Sequence, residues 1–210
     1  MPDFQTLLIY ALPLIFAITV HEVAHGWVAN QRGDATARML GRLTLNPIKH
    51  IDPVGTLLVP AVLYFTGSPF LFGWAKPVPI NFNALKSPKQ DMILVALAGP
   101  VSNFIMALLW LLVATFTLDM SDQFLLKMAG FGIVINLVLG VFNLLPIPPL
   151  DGSRVVAALL PNNLAYEYDK LERYGLFILL GLLFLGVFEH IILPIVKTLQ
   201  YAMFDIIGII

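Results

Sequence analysis

The sequence predicts an all-α polytopic membrane protein with about five transmembrane helices and a short β-hairpin or re-entrant loop between helices two and three. Apolar residues make up 59% of the chain and charged residues 12%, against about 45–50% and about 25% in soluble domains. Mean hydropathy is +0.86. The apolar residues also fall in long charge-free runs separated by short polar loops. A soluble protein this apolar has too little polar surface to stay dispersed, so lipid is the predicted solvent.

The chain of 210 residues fits one integral-membrane domain, with a core over residues 4–160 and a C-terminal helix and tail over residues 170–210. A net charge of −1 gives no indication of nucleic-acid binding. Because there is no cysteine, any metal must be held by His, Asp or Glu. The N-terminal apolar stretch lacks the basic residues that begin a signal peptide, so we expect it to be retained.

The first predicted transmembrane helix covers residues 4–30, since Phe4 to Val20 carries no charge and a span takes about 20 residues. Pro13 is a candidate kink, and Gly33 ends the helical pattern. A polar segment follows over residues 31–52. Within it residues 37–45 partly alternate between apolar and polar, which favours a short edge strand or hairpin.

A second helix is predicted over residues 53–65. The charge-free stretch continues to Ala75 but is broken by Pro60, Gly67, Pro69 and Gly73. Irregular backbone at membrane depth is tolerated only where it is buried in protein or lines a wet cavity. Residues 73–80 are therefore predicted to form a re-entrant loop beside the functional site.

Three further helices complete the prediction. Residues 92–118 are free of charge for 27 positions, and residues 124–145 form a fourth helix that ends in a proline-rich run. An amphipathic charged segment over residues 154–173 leads to a fifth helix over residues 175–196, which is interrupted by the polar pair Glu189-His190.

The basic residues predict the orientation, because cytoplasmic loops carry an excess of Lys and Arg. Nine of the twelve basic residues lie after helix one, before helix three, or between helices four and five: Arg32, Arg38, Arg42, Lys49, Lys86, Lys89, Arg154, Lys170 and Arg173. An N-terminus outside the cell puts all three segments in the cytoplasm. We therefore expect a multi-pass protein of a prokaryotic cell membrane.

The sequence His21-Glu22-Val23-Ala24-His25 lies inside the first predicted helix. Side chains four residues apart share a helix face, so the two His can bind one metal ion. Glu22 lies about 100° round the helix, where it can take a proton from a metal-activated water and pass it to a leaving amine. A polar patch in a core helix is the other explanation, but burying these groups in lipid without a partner is costly. The motif lies ~13 Å from the cytoplasmic end of its helix.

Two His leave a third metal ligand to find, and Asp151 is the best candidate. It is acidic, lies at the inner end of helix four and precedes Gly152, which permits a tight backbone. Its alternative role is to cap the segment that begins at Ser153. The competing third ligands are Asp52, His50 and Glu189; the first two lie in the polar loop and the third near the outer end of helix five.

Three motifs together resemble the site-2 protease family of intramembrane metalloproteases, in its compact type without a PDZ domain. They are His21 to His25, Gly99-Pro100-Val101-Ser102-Asn103, and Asn143 through Pro149 to Leu150-Asp151-Gly152. The resemblance implies one Zn²⁺ at His21, His25 and Asp151, with Glu22 as general base. It also implies that Asn143 and Asn103 hydrogen-bond near the substrate carbonyl or the ligands, and that residues 73–79 clamp an extended substrate strand.

The resemblance implies hydrolysis of peptide bonds within transmembrane segments of membrane proteins, with the active site toward the cytoplasm. Only short loops separate the helices, so substrate choice is expected to rest on the membrane core, a partner protein or prior trimming. The expected partners are a transmembrane substrate, the lipid bilayer, and a partner protein or a second copy of the chain. Each asparagine has another explanation: Asn103 can join two helices, and Asn143 can satisfy backbone groups freed by the prolines. Likewise, Gly99-Pro100 can simply let helices pack closely.

Two alternatives remain for the metal and the function. Two His and a carboxylate also suit iron, and zinc is favoured because hydrolysis requires an acid such as Glu22 beside the ion. The alternative function is a non-proteolytic membrane protein that binds or transports metal, because intramembrane His and acidic residues also mark ion pathways.

Overall fold

The computed structural model describes residues 3–67, 73–120 and 122–206, and within these ranges it is helical with no β-strand. The α-helices are α1 (Phe4–Gln31), α2 (Thr36–Met39), α3 (Val59–Phe65), α4 (Pro88–Met120), α5 (Gln123–Asn143), α6 (Asp151–Leu159), α7 (Asn162–Asp169), α8 (Gly175–Phe184) and α9 (Leu193–Ile206). Short 3₁₀ turns cover Pro47–His50, Phe82–Ala84 and Lys170–Tyr174, and single π-helical turns cover Pro53–Leu58 and Phe188–Ile192.

Helices α1, α4 and α5 are each long and apolar enough to cross a membrane. Their apolar spans have 28, 31 and 21 residues, and even the shortest reaches about 30 Å, the thickness of the hydrocarbon core. Aspartates begin two of them: Asp3 accepts a hydrogen bond from the Thr6 N–H at 2.7 Å, and Asp122 caps α5. The chain is therefore a membrane protein.

The three long helices pack against one another, and α9 packs on the outside of α5. Their buried contact is built from small and branched side chains: Ala107, Leu111 and Ala114 of α4, Ala129, Ile133, Leu137 and Val141 of α5, and Ile192 and Val196 in and beside α9. Gly132 of α5 faces the indole of Trp110, and an added Cβ would lie 2.5 Å from Trp110 Cγ. Small residues of this kind let membrane helices approach closely.

The prediction of about five transmembrane helices is wrong for the residues that the structure describes. They contain three candidate spans, or four if the bent pair Asn162–Phe184 and Phe188–Asp205 counts as one crossing. The predicted second helix, residues 53–65, is a π turn followed by α3 and reaches only ~20 Å. The predicted fifth helix is broken at Gly186, whose φ of 71° ends α8, and the two halves of the pair differ by 67°.

The predicted β-hairpin between helices two and three is also wrong, because residues 73–80 form neither a helix nor a strand. Alternate N–H groups of this segment donate instead to the preceding part of the chain. Trp74 bonds the Gly55 carbonyl at 3.1 Å and Lys76 bonds the His50 carbonyl at 2.9 Å. On the opposite edge Pro77 and Pro79 have no N–H, so a regular ladder cannot form. The adjoining residues 68–72, where Pro69 and part of the re-entrant prediction fall, lie outside the described residues.

Residues 37–45 do not form the predicted edge strand or hairpin but begin with the single helical turn α2. Asp34 caps this turn by accepting hydrogen bonds from the N–H and hydroxyl of Thr36, and Gly41, at φ 63°, ends it. Asp34 also accepts from the Asn81 N–H at 2.7 Å. Burial tends to raise the pKa of Asp34, but the bonds from Thr36 and Asn81 outweigh it and hold that pKa below its usual value.

Candidate metal centre

Three potential metal ligands converge where α1 meets the first turn of α6. His21 and His25 are 8% and 7% exposed on the inner face of α1, and Asp151 begins α6. The His21 Nε2 atom lies 3.2 Å from Asp151 Oδ2, and His25 Nε2 lies 3.3 Å from Asp151 Oδ1. The two Nε2 atoms are 3.0 Å apart. Among the described residues this is the one group of His, Asp and Glu whose ligand atoms lie close enough to hold a metal.

The donor set and its spacing fit zinc. Ligand atoms about 2.0–2.1 Å from a tetrahedral Zn²⁺ lie roughly 3.3 Å from one another. The two Nε2 atoms are 3.0 Å apart and each lies 3.2 or 3.3 Å from one of the two oxygens of Asp151, so the three side chains are spaced as zinc ligands are. The Asp151 Oδ2 atom is buried and accepts no hydrogen bond, which is costly for a carboxylate. A cation between the two imidazoles and the carboxylate would satisfy it.

Both imidazoles turn the same nitrogen toward this point, because their other nitrogens are engaged elsewhere. His21 Nδ1 lies 2.6 Å from Asn103 Oδ1, and His25 Nδ1 lies 2.7 Å from the Val95 carbonyl oxygen. Oxygen acceptors require a hydrogen on each Nδ1, which leaves the Nε2 lone pairs free. Such partners are typical of metal-binding His.

Two glycines give the ligands the room that they occupy. An added Cβ at Gly99 of α4 would lie 2.6 Å from His21 Nε2 and even closer to His25 Nε2. An added Cβ at Gly152 would collide with the carbonyl oxygens of Leu144 and Leu145 at the end of α5. The close approach of α4 to the imidazoles, and of α6 to α5, therefore requires glycine at both positions.

Glu22 lies beside the three ligands but outside their group. Its carboxylate accepts a hydrogen bond of 2.7 Å from the N–H of Val78. Glu22 shares with the ligands a cavity of about 610 Å³. The remaining wall of the cavity is mostly apolar and includes Ile18, Trp74, Leu139, Phe142 and Leu179.

The two predicted asparagines occupy different places. Asn143 lines the cavity and donates one N–H to the Leu139 carbonyl of its own helix at 3.0 Å. Asn103 is fully buried behind His21 and contacts that ligand.

The competing roles and ligands are placed as follows. Asp151 is not the N-cap of α6, because the helix begins at Asp151 and its N-cap is Leu150. The Asp52 carboxylate accepts from the backbone of Val54 and Gly55, His50 bonds the Thr44 carbonyl, and Glu189 is exposed. None of the three competing ligands lies in the metal group.

Sequence reasoning missed two partners of the ligands. The Val95 carbonyl could not be found from side-chain identities, because any residue supplies a carbonyl. Asn136, which bonds Asn103, did leave a signal, since it is an amide in an apolar helix and precedes Asn143 by two turns on the same face.

An ion pair forms part of the cavity wall. The Arg154 guanidinium donates to both carboxylate oxygens of Glu172 at 2.7 Å, and both side chains line the cavity. This pair links α6 to the 3₁₀ turn that leads into α8.

Comparisons with known proteins identify one protein family. The profile of peptidase family M50 matches residues 116–186. The chain is 40% identical over 194 residues, 89% of its length and 85% of the relative, to YwhC of Bacillus subtilis, a protein named as a candidate zinc metalloprotease. It is 30% identical over 138 residues to Rip2 of Mycolicibacterium smegmatis, similarly named, and this match covers 66% of the chain but 52% of the relative. No solved structure shows significant similarity to the chain.

Proposed function

Because the chain belongs to peptidase family M50, the site-2 proteases, we propose that it is an intramembrane zinc endopeptidase that hydrolyses peptide bonds within transmembrane segments of membrane proteins. The observation that carries the proposal is the meeting of two His and Asp151 beside Glu22 in one cavity. A hydrolytic metal centre needs an acid beside the ligands to move protons, whereas a structural metal site needs only its ligands.

Each polar residue has a separate task in this proposal. His21, His25 and Asp151 hold Zn²⁺, which when bound supplies Lewis-acid chemistry and brings the pKa of water to about 7. Glu22 accepts the proton of the attacking water and returns it to the leaving amine. The Val78 N–H fixes one oxygen of the Glu22 carboxylate, which leaves the other to face the water.

Asn143 is proposed to stabilise the scissile carbonyl. One of its two amide hydrogens is bound to Leu139, and the second is free to donate into the cavity. A positioned donor of this kind favours the negative charge that develops on the carbonyl oxygen.

The substrate proposed here is a transmembrane segment in extended form. A helix hides its carbonyls in i→i−4 bonds, so the segment must unwind before a carbonyl can reach the metal. Residues 73–80 line much of the cavity. Because Pro77 and Pro79 have no N–H and the N–H of Val78 is bound to Glu22, this segment is proposed to hold a substrate strand through its carbonyl oxygens rather than through a regular β-ladder. The apolar wall of the cavity suits the side chains of such a segment.

The distribution of basic residues supports an N-terminus outside the cell and an active site toward the cytoplasm. In this orientation α1 runs inward and ends at Gln31, beside Arg32. Helices α4 and α5 then form an out-and-back pair, which places Asp151 on the same side as the end of α1.

The test uses the purified full chain in proteoliposomes with a transmembrane peptide. Glu22→Gln should retain zinc and lose at least about 10²-fold in cleavage rate, since it lacks the proton acceptor. Undiminished cleavage by Glu22→Gln would sink the mechanism. Asp151→Asn should lose zinc by elemental analysis, and unchanged zinc content would show that the third ligand is elsewhere. Zinc flux into the vesicles without peptide cleavage would favour transport instead.

A further inference from the structure

A line of amide groups continues from His21 away from the cavity into the interface of α4 and α5. Asn103 and Asn136 are both 0% exposed. The Nδ2 atom of Asn103 donates to Asn136 Oδ1 at 3.0 Å and to the Ala17 carbonyl at 3.3 Å. Asn136 Nδ2 in turn donates to the Gly132 carbonyl at 2.9 Å. The line therefore runs from a metal ligand to the backbone of α5 without reaching the cavity.

The direction of these hydrogen bonds decides which nitrogen of His21 is available. Nε2 can bind a metal only if it carries no hydrogen, so Nδ1 must carry it and needs an acceptor. An asparagine amide can present either its oxygen or its NH₂ group to a neighbour. With Oδ1 against His21, the two Nδ2 hydrogens of Asn103 need two acceptors, and Asn136 Oδ1 and the Ala17 carbonyl supply them.

We propose that Asn136 is a positioning residue of the metal centre: acting through Asn103, it fixes the amide orientation that keeps the hydrogen of His21 on Nδ1 and Nε2 open to zinc. If the Asn103 amide were reversed, its NH₂ group would face Nδ1 of His21. Its oxygen would then face two acceptors, Asn136 Oδ1 and the Ala17 carbonyl oxygen. The proposal rests on the metal-binding part of the proposed function. Partners beyond the ligands typically affect metal affinity 10–100-fold.

Two substitutions separate this role from packing. Asn136→Leu keeps a similar volume and removes the acceptor, so zinc affinity should fall about 10–100-fold. Asn136→Asp places a carboxyl among apolar side chains, where it takes up a proton. Its C=O then accepts from Asn103 and its O–H donates to the Gly132 carbonyl, so zinc affinity should stay close to that of the wild type. Asn136→Ala also lacks the acceptor and replaces the Leu variant if that variant does not fold.

The measurement is zinc competition with a chromophoric chelator on the full chain in detergent, together with the absorption spectrum of the Co²⁺-loaded protein. The spectrum reports ligand geometry, and it should change for Asn136→Leu and remain for Asn136→Asp. Thr117→Val is the matched control. Its hydroxyl is equally buried in α4 but bonds only the carbonyls of its own helix, so zinc affinity should be unchanged.

Wild-type zinc affinity and cobalt spectrum in Asn136→Leu, or in Asn136→Ala, would overturn the proposal. Equal losses in Asn136→Leu and Asn136→Asp, matched by lower stability of the metal-free protein, would assign Asn136 to packing and also overturn it. Neither readout requires peptide cleavage. A protein that binds zinc as expected but cleaves nothing would therefore refute the proposed protease while leaving the role of Asn136 standing.

Discussion

The fit of α4 against the two imidazoles predicts that Gly99→Ala damages the metal centre. The added Cβ would lie 2.6 Å from His21 Nε2, whereas ordinary contacts begin at 3.4 Å. The rings or the helix must therefore move by at least about 0.8 Å, since His25 Nε2 lies closer still, and this is about four times the ±0.2 Å within which metal–ligand distances are held. We expect zinc affinity to fall about 10–100-fold, or roughly 1.4–2.8 kcal/mol.

The same substitution should have a smaller effect on the metal-free fold. Overpacking costs about 1–3 kcal/mol, and replacing a helical glycine with alanine offsets ~1 kcal/mol of this. The stability of the metal-free protein should thus fall by no more than ~2 kcal/mol. Gly130→Ala in α5 is the matched control, because nothing lies within 4 Å of its added Cβ.

The assay is zinc competition in detergent, with thermal unfolding measured in the presence of a chelator. Gly130→Ala should bind zinc as the wild type does. If Gly99→Ala also retains wild-type affinity, the close approach of α4 does not hold the imidazoles in place, and the argument from their geometry fails.

Three further predictions test other parts of the fold. Gly132→Ala should push against Trp110 and destabilise the α4–α5 contact by about 1–3 kcal/mol. The zinc affinity of the folded fraction, measured by competition with a chelator, should be unchanged. Because the folded pKa of Asp34 is lowered, its contribution is present above the unfolded value of about 4 and is lost as pH falls through the folded value. Thermal unfolding from pH 7 to pH 3 should therefore show a smaller loss of stability in Asp34→Asn than in the wild type. In a double-mutant cycle of Arg154→Met and Glu172→Gln, the free energy of unfolding, measured in detergent, should give a coupling energy of about 0.5–1 kcal/mol. A coupling energy of zero would mean that the ion pair does not stabilise the contact of α6 with the turn before α8.

The long helices were predictable because lipid imposes a simple rule on them. A charge-free run such as residues 92–118 has few alternatives to a membrane helix, and it became α4. The break at Gly186 was not predictable in the same way. Glycine occurs inside many membrane helices, and only the backbone conformation distinguishes a packing glycine from one at φ 71° that ends α8.

The candidate site was predictable where its residues lie close together in the sequence or belong to a short motif. His21 and His25 share a face by spacing alone, and Asp151 stood out as an acid beside Gly152. The local alternation of residues 37–45 misled because Asp34 bonds Thr36, and such side-chain bonds to nearby backbone compete with strand pairing. Gly99 had a packing explanation from sequence, but its proximity to both imidazoles depends on how α1 and α4 cross.

The two histidines differ in what holds them, and this makes the centre unequally sensitive to mutation. His25 Nδ1 is bound to the backbone carbonyl of Val95, which no side-chain substitution removes. His21 Nδ1 depends on Asn103, whose orientation depends on a second amide in another helix. Substitutions that weaken zinc without touching a ligand should therefore cluster on the His21 side, along α4 and α5. An apolar replacement at Val95 should have little effect on zinc, because it keeps the carbonyl in place.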